Sequence, residues 1–158
     1  MAVRILFVED DEYVRDILGA TAEEGGYAAD FSPTAEAGIE RMTNDRYDIV
    51  VTDVRLPGMS GIELLPHIPR LQPSAAAIVI TAFGTVDIAV EAMKRGAIDF
   101  LTKPFTPDDL LSALRVATER IAAERRTTPA DRHAATVVGT SQKMRKLLEQ
   151  VATIAPFN

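Results

Sequence analysis

Apolar and polar positions along the chain fall into two periodicities that alternate from one end to residue 124. Five short apolar or β-branched runs, at residues 3–8, 27–31, 49–52, 77–81 and 98–101, read as strands. Between them lie helix-length segments with apolar residues three and four apart, such as Val14, Ile17, Leu18 and Thr21. Helix punctuation sits where this alternation needs it: Gly25-Gly26 and Gly96 as stops, Ser32-Pro33 as cap and first residue, and Thr106-Pro107-Asp108-Asp109 as a charged start. Ser60-Gly61-Ile62-Glu63 matches a capping box. Parallel neighbours need crossovers and both sheet faces need cover, so the alternation predicts a doubly wound α/β fold with a five-stranded parallel sheet.

Two segments depart from the simple pattern. Pro66 and Pro69 fall where the third helix should run, which predicts a short, kinked or partly 3₁₀ element. The last helix continues through Leu110, Leu114, Ala117 and Ile121, a spacing suited to a coiled-coil seam. The first three of these are expected to face the sheet, and Ile121 to meet a partner helix. Beyond it, 125–136 reads as a polar linker containing Pro129. Residues 137–158 turn helical again, with Ser141 as cap and Met144, Leu147, Leu148 and Val151 on one stripe.

Composition narrows the chemistry. A 158-residue chain buries roughly 68–70% of its unfolded surface, enough for a core without staples. With no cysteine, thiol catalysis, zinc fingers and iron–sulfur clusters are excluded. Neither a membrane span nor a secretory signal is visible, which predicts a soluble cytoplasmic protein. Residues 1–120 carry 11 Lys and Arg against 20 Asp and Glu, whereas 121–158 carry 6 against 3. An acidic body disfavours direct contact with nucleic acid or an anionic membrane, since both rely on Lys and Arg meeting phosphates, and favours a cation or protein partner.

The residues at the predicted strand ends carry that chemistry. Ligands of open α/β sheets sit outside the carboxyl ends of the strands. There the first strand delivers Glu9, Asp10 and Asp11, the third Asp53, the fourth Thr81 and the fifth Lys103 followed by Pro104. Singly, each has an ordinary explanation: an acidic trio complements a helix N-terminus, Asp53 caps the loop before Pro57-Gly58, Lys103 is solvated and Thr81 is a strand residue. Together, with nothing comparable at the strand starts, they predict a site. Clustered carboxylates do not all ionise cheaply without a cation, so an oxygen-liganded divalent ion is expected, and Mg²⁺ suits one or two carboxylates, a carbonyl and waters.

Val8-Glu9-Asp10-Asp11, Asp53-Val54-Arg55-Leu56-Pro57-Gly58-Met59-Ser60-Gly61, Thr81-Ala82 and Lys103-Pro104-Phe105 resemble the receiver domain of two-component response regulators. The resemblance implies a flavodoxin-like sheet of order 2-1-3-4-5 and a domain over 1–124. It further implies Asp53 as phosphoacceptor, with Mg²⁺ held by Asp10, Asp53 and the Arg55 backbone carbonyl and by Glu9 through a water. Thr81 would bind the phosphoryl group, Lys103 would pair with another of its oxygens, and Phe100 would be the switch aromatic whose inward movement repacks the face of the fourth helix, fifth strand and fifth helix. Lys103-Pro104 is expected to be cis, and Arg55 and Phe83 to tune hydrolysis. The implied partners are a sensor histidine kinase and a second copy, bound through that face and the helix leading to the linker.

Val138-Gly139-Thr140-Ser141 and the helix after it are similar to the opening of the AAA+ module of NtrC-type activators of the sigma-54 polymerase. That similarity implies a fragment over 137–158 whose ATPase module lies in a longer regulator, and no GxxxxGK[ST] phosphate loop occurs within these residues. The chain is therefore expected to be a regulatory phosphoacceptor and not an enzyme. The alternative is a free-standing phosphorelay receiver without DNA output. A haloacid-dehalogenase-type phosphatase is disfavoured because its second Asp is replaced by Arg55. A dinucleotide site is disfavoured because the first turn is acidic instead of glycine-rich.

Overall fold

The computed structural model describes residues 2–82 and 84–126. The elements in chain order are β1 (Arg4–Val8), α1 (Glu12–Glu24), β2 (Ala28–Ser32), α2 (Ala35–Asn44), β3 (Ile49–Asp53), α3 (Gly61–Leu64), α4 (His67–Leu71), β4 (Ala76–Thr81), α5 (Val86–Lys94), β5 (Ala97–Thr102) and α6 (Pro107–Arg126). All strand pairs are parallel and the order is β2-β1-β3-β4-β5. The predicted class and topology are those observed. Within the described residues no helix is long and apolar enough to cross a membrane.

Alternation along each strand splits the core into two layers. Leu6, Val8, Val50 and Val79 face Met42, Leu64, Leu65, Ile68 and Met93 on the side of α2, α3, α4 and α5. Ile5, Phe7, Ile49, Val51, Ile78 and Ile80 face Leu18 and Ala22 of α1 and Leu110, Leu114, Ala117 and Ile121 of α6. Ile17, one of the helically spaced apolar residues of α1, is exposed, as is Tyr13 one turn earlier.

Three local expectations change in detail. The proline pair breaks the third crossover into α3 and α4, so the fourth and fifth helices foreseen in the sequence are α5 and α6. The start of α2 is not Ser32-Pro33. Ser32 pairs with Val8 as the last residue of β2 and its carbonyl accepts from the Glu9 N–H at 3.0 Å, so the strand runs further and Thr34 becomes the cap, accepting from the Ala37 N–H. Ile121 does not await a partner helix. It is 6% exposed and packs in the same layer as Ile5 and Ile49, because a 20-residue α6 spans the whole sheet.

The final turn of α6 is tied to the strand starts by Arg125, whose guanidinium meets Asp48 Oδ1 at 3.1 Å. The helix thus includes Arg125 and Arg126, the first residues assigned to the linker. The remainder of 125–136 and the whole of 137–158, with Ser141, Met144, Leu147, Leu148 and Val151, lie outside the described residues.

Gln72, which no sequence pattern singled out, closes the far end of α2. Its buried amide donates to the carbonyls of Met42 at 2.8 Å and Asp45 at 2.7 Å and accepts from the Tyr47 N–H at 3.2 Å. Replacing it strands buried polar backbone groups that no longer reach water. Gln72→Leu is expected to lower the urea-unfolding free energy by roughly 2–3 kcal/mol, read from equilibrium denaturation.

Candidate functional site

Register brings the predicted residues to one rim. Val8 pairs with Thr52, Asp53 with Ile80, and Thr81 with Thr102, so β1, β3, β4 and β5 end at the same level. The residues at or just past those ends are Glu9, Asp53, Thr81 and Lys103, which converge because the strands are parallel.

The acidic trio divides its work. Asp11 is the N-cap of α1, its Oδ1 accepting from the N–H groups of Tyr13 at 2.9 Å and Val14 at 3.2 Å, as the ordinary reading of an acidic helix start requires. Glu9 and Asp10 turn to the site instead. One carboxylate oxygen from each of Glu9, Asp10 and Asp53 lies within 4.8 Å of the others. Asp10 is exposed, Asp53 is buried, and Glu9 is 1% exposed.

Lys103 closes the cluster. Its Nζ lies 2.5 Å from Glu9 Oε1 and 2.8 Å from Asp53 Oδ2. On the other Asp53 oxygen, the Arg55 N–H donates to Oδ1 at 3.2 Å. The Lys103 N–H donates to the Thr81 carbonyl at 2.9 Å, which ties the start of the β5–α6 loop to the end of β4. The Lys103–Pro104 peptide is cis.

Electrostatics follows from burial. Desolvation, opposed by the Lys103 hydrogen bond and reinforced by the neighbouring Asp53 charge, pushes the Glu9 carboxyl from an ordinary 4.5 up to about 7. Burial works against the Lys103 ammonium, but the hydrogen bonds and charges of Asp53 and Glu9 outweigh it and raise its pKa. One ammonium therefore faces three carboxylates, and an added hard cation would relieve the remaining negative charge. The donor set contains only oxygens, with an exposed carboxylate on the open side, which fits a divalent ion such as Mg²⁺.

Thr81 is fully buried at the end of β4, one strand over from Asp53. Phe100 is half-buried in β5, pairs with Val79, and packs on the layer that holds Ala92 and Met93. Gly84 crosses beside it, where an added Cβ would stand 3.0 Å from the Phe100 ring and 2.4 Å from the Thr102 methyl. Phe83 lies outside the described residues. The roles of two residues at the Asp53 backbone went unread in sequence. Thr52 donates its hydroxyl to the Asp53 carbonyl at 2.9 Å, and Gly61, read as part of a capping box and of the segment after Asp53 that carries the resemblance, lies against the same carbonyl. The available signal was a hydroxyl inside the apolar run of β3.

Comparison with known proteins places the chain. The chain is 37% identical over 150 residues to the transcriptional regulatory protein FixJ of Rhizobium meliloti, covering 94% of this chain and 74% of that one. It is 36% identical over 159 residues to the C4-dicarboxylate transport transcriptional regulatory protein DctD of Pseudomonas aeruginosa, covering 96% of this chain but only 34% of DctD. The solution structure of the beryllofluoride-activated NtrC4 receiver domain dimer superposes with a TM-score of 0.72 at 35% identity, covering 75% of this chain and 98% of that one. The family model of the response regulator receiver domain matches residues 5–115, which takes in every strand end described above. By that match and by its parallel sheet with an acidic rim, the chain belongs to the receiver domains of two-component response regulators.

Proposed function

We propose that Asp53 accepts a phosphoryl group from a sensor histidine kinase, or from a small acyl phosphate, and that the phosphorylated state controls a transcriptional output. The observation that carries this reading is the Lys103 ammonium 2.8 Å from Asp53 Oδ2 in a pocket of three carboxylates. One Asp53 oxygen so placed lies against an ammonium that stands ready for the oxygens of an incoming phosphoryl group.

An Asp53 oxygen bonds to phosphorus as the bond from phosphorus to the donor's imidazole nitrogen or acyl oxygen breaks, and the donor leaves with that electron pair. Little covalent chemistry is asked of the protein beyond positioning and charge neutralisation. Lys103, kept protonated by its carboxylates, turns to a phosphoryl oxygen, and the Thr81 hydroxyl donates to another. Bound Mg²⁺, held by Asp10, Asp53 and the Arg55 carbonyl and by Glu9 through a water, would neutralise the excess negative charge. Water later returns Asp53 to the carboxylate.

Movement of Thr81 toward the new oxygens opens space for Phe100, and the face of α5, β5 and α6 repacks. That face is the proposed homodimer surface, a reading supported by the likeness to the NtrC4 receiver domain, whose beryllofluoride-activated form is a dimer. The output is proposed to be sigma-54-dependent activation through an AAA+ module, in the cytoplasm and without nucleic-acid contact by these residues. The likeness to two transcriptional regulatory proteins, DctD over 96% of this chain and FixJ over 94%, supports a transcriptional output, and the sigma-54 assignment rests on the similarity of Val138-Gly139-Thr140-Ser141 and the segment after it.

Acetyl phosphate with Mg²⁺ is expected to raise the intact mass by one phosphoryl group, and Asp53→Asn to abolish the gain; equal labelling of the substituted protein would refute the assignment. Sedimentation is expected to find dimers, and monomers at high concentration with and without beryllofluoride would remove the proposed interface. Glu9 also makes stability depend on pH. Its carboxyl is raised in the fold, so its protonated form contributes stability that is full below the ordinary 4.5 and lost as pH rises through about 7. In EDTA, the wild type should lose unfolding free energy relative to Glu9→Gln between about pH 4.5 and 7, and Mg²⁺ should offset the loss at the upper end.

A further inference from the structure

Thr52 is an odd residue for its place. It is fully buried in β3 after Ile49-Val50-Val51, and an unpaired hydroxyl in such a layer would be costly. Its Oγ1 donates to the carbonyl of the next residue, Asp53, at 2.9 Å. Valine has the same shape and would suit the layer better, so packing alone does not account for threonine.

Gly61 stands on the other side of that carbonyl. A Cβ built on it would lie 1.9 Å from the Asp53 oxygen, 2.8 Å from the Asp53 carbonyl carbon and 3.0 Å from Thr52 Oγ1. The Gly61 N–H meanwhile donates to the Val54 carbonyl at 2.9 Å, which holds the start of α3 against the end of β3. The Asp53 peptide is thus pinned by a hydroxyl and walled by a bare Cα.

We propose that Thr52, braced against Gly61, is a positioning residue for the acceptor: its hydroxyl fixes the Asp53–Val54 peptide and through it the aim of the Asp53 carboxylate. This inference rests on the reading of Asp53 as phosphoacceptor. Rotation of that peptide would turn the Asp53 Cα–Cβ bond and carry with it the Val54-Arg55 segment, whose N–H holds Asp53 Oδ1 at 3.2 Å. The brace therefore governs how the carboxylate faces Lys103 and an incoming phosphorus, without touching either. Small misplacements of a reacting group cost rate steeply, since in-line approach is most of what this site supplies.

The test compares wild type, Thr52→Val, Thr52→Ser and Asp53→Asn in phosphorylation by acetyl phosphate at saturating Mg²⁺, with thermal unfolding of each. Thr52→Val should lower the maximal rate constant about tenfold with little change in the half-saturating acetyl phosphate concentration and no loss of thermal midpoint. Thr52→Ser, which keeps the hydroxyl, should stay near the wild-type rate. A Thr52→Val protein as fast as wild type, one slowed only in proportion to a smaller folded fraction, or a Thr52→Ser protein as slow as Thr52→Val would overturn the brace. Wild-type labelling that is absent or survives in Asp53→Asn would overturn the phosphoacceptor reading, and the brace with it.

Discussion

The structure turns on a charge balance at the sheet's rim: one ammonium, Lys103, set between Glu9 and Asp53 with Asp10 alongside. Three carboxylates within 4.8 Å repel one another, and Glu9 is held among them at 1% exposure. Burial, with the Asp53 charge beside it, raises the Glu9 carboxyl to about 7, and Lys103 offsets part of that rise. A site left short of positive charge in this way is suited to take up a cation.

The remainder of the fold serves that balance by holding its members still. Parallel registers bring four strand ends to one level, and two opposed layers keep those strands from sliding. Asp11 caps α1 and so directs Glu9 and Asp10 away from the helix. The Lys103 N–H bond to the Thr81 carbonyl links the residue bearing the ammonium to the strand that carries the hydroxyl. Phe100, on β5, packs against the layer containing α5.

Much of this was legible in the residues because the relevant signals are local. Period-two and helical spacings placed every strand within two residues of its observed start, and Glu9, Asp53, Thr81 and Lys103 stood out as polar endings to apolar runs. Errors arose where two local signals competed. Ser32-Pro33 is a sound helix start until the pairing of Ser32 with Val8 claims it for the sheet. Ile121 looks stranded until the length of α6 is known to match that of the sheet.

The amino-acid order by itself determined the alternation of elements, the parallel class and the chemical identity of the rim, since these depend on residue type and spacing along one dimension. Only the tertiary structure decided which acid caps a helix and which faces the cation site, that Gln72 closes α2, and that Thr52 and Gly61 meet at the Asp53 carbonyl. These are contacts between segments up to 30 residues apart, made by side chains whose type suggests nothing about their partner. Hydrogen bonds of that kind are directional and short-ranged, so they exist only once packing has brought donor and acceptor together.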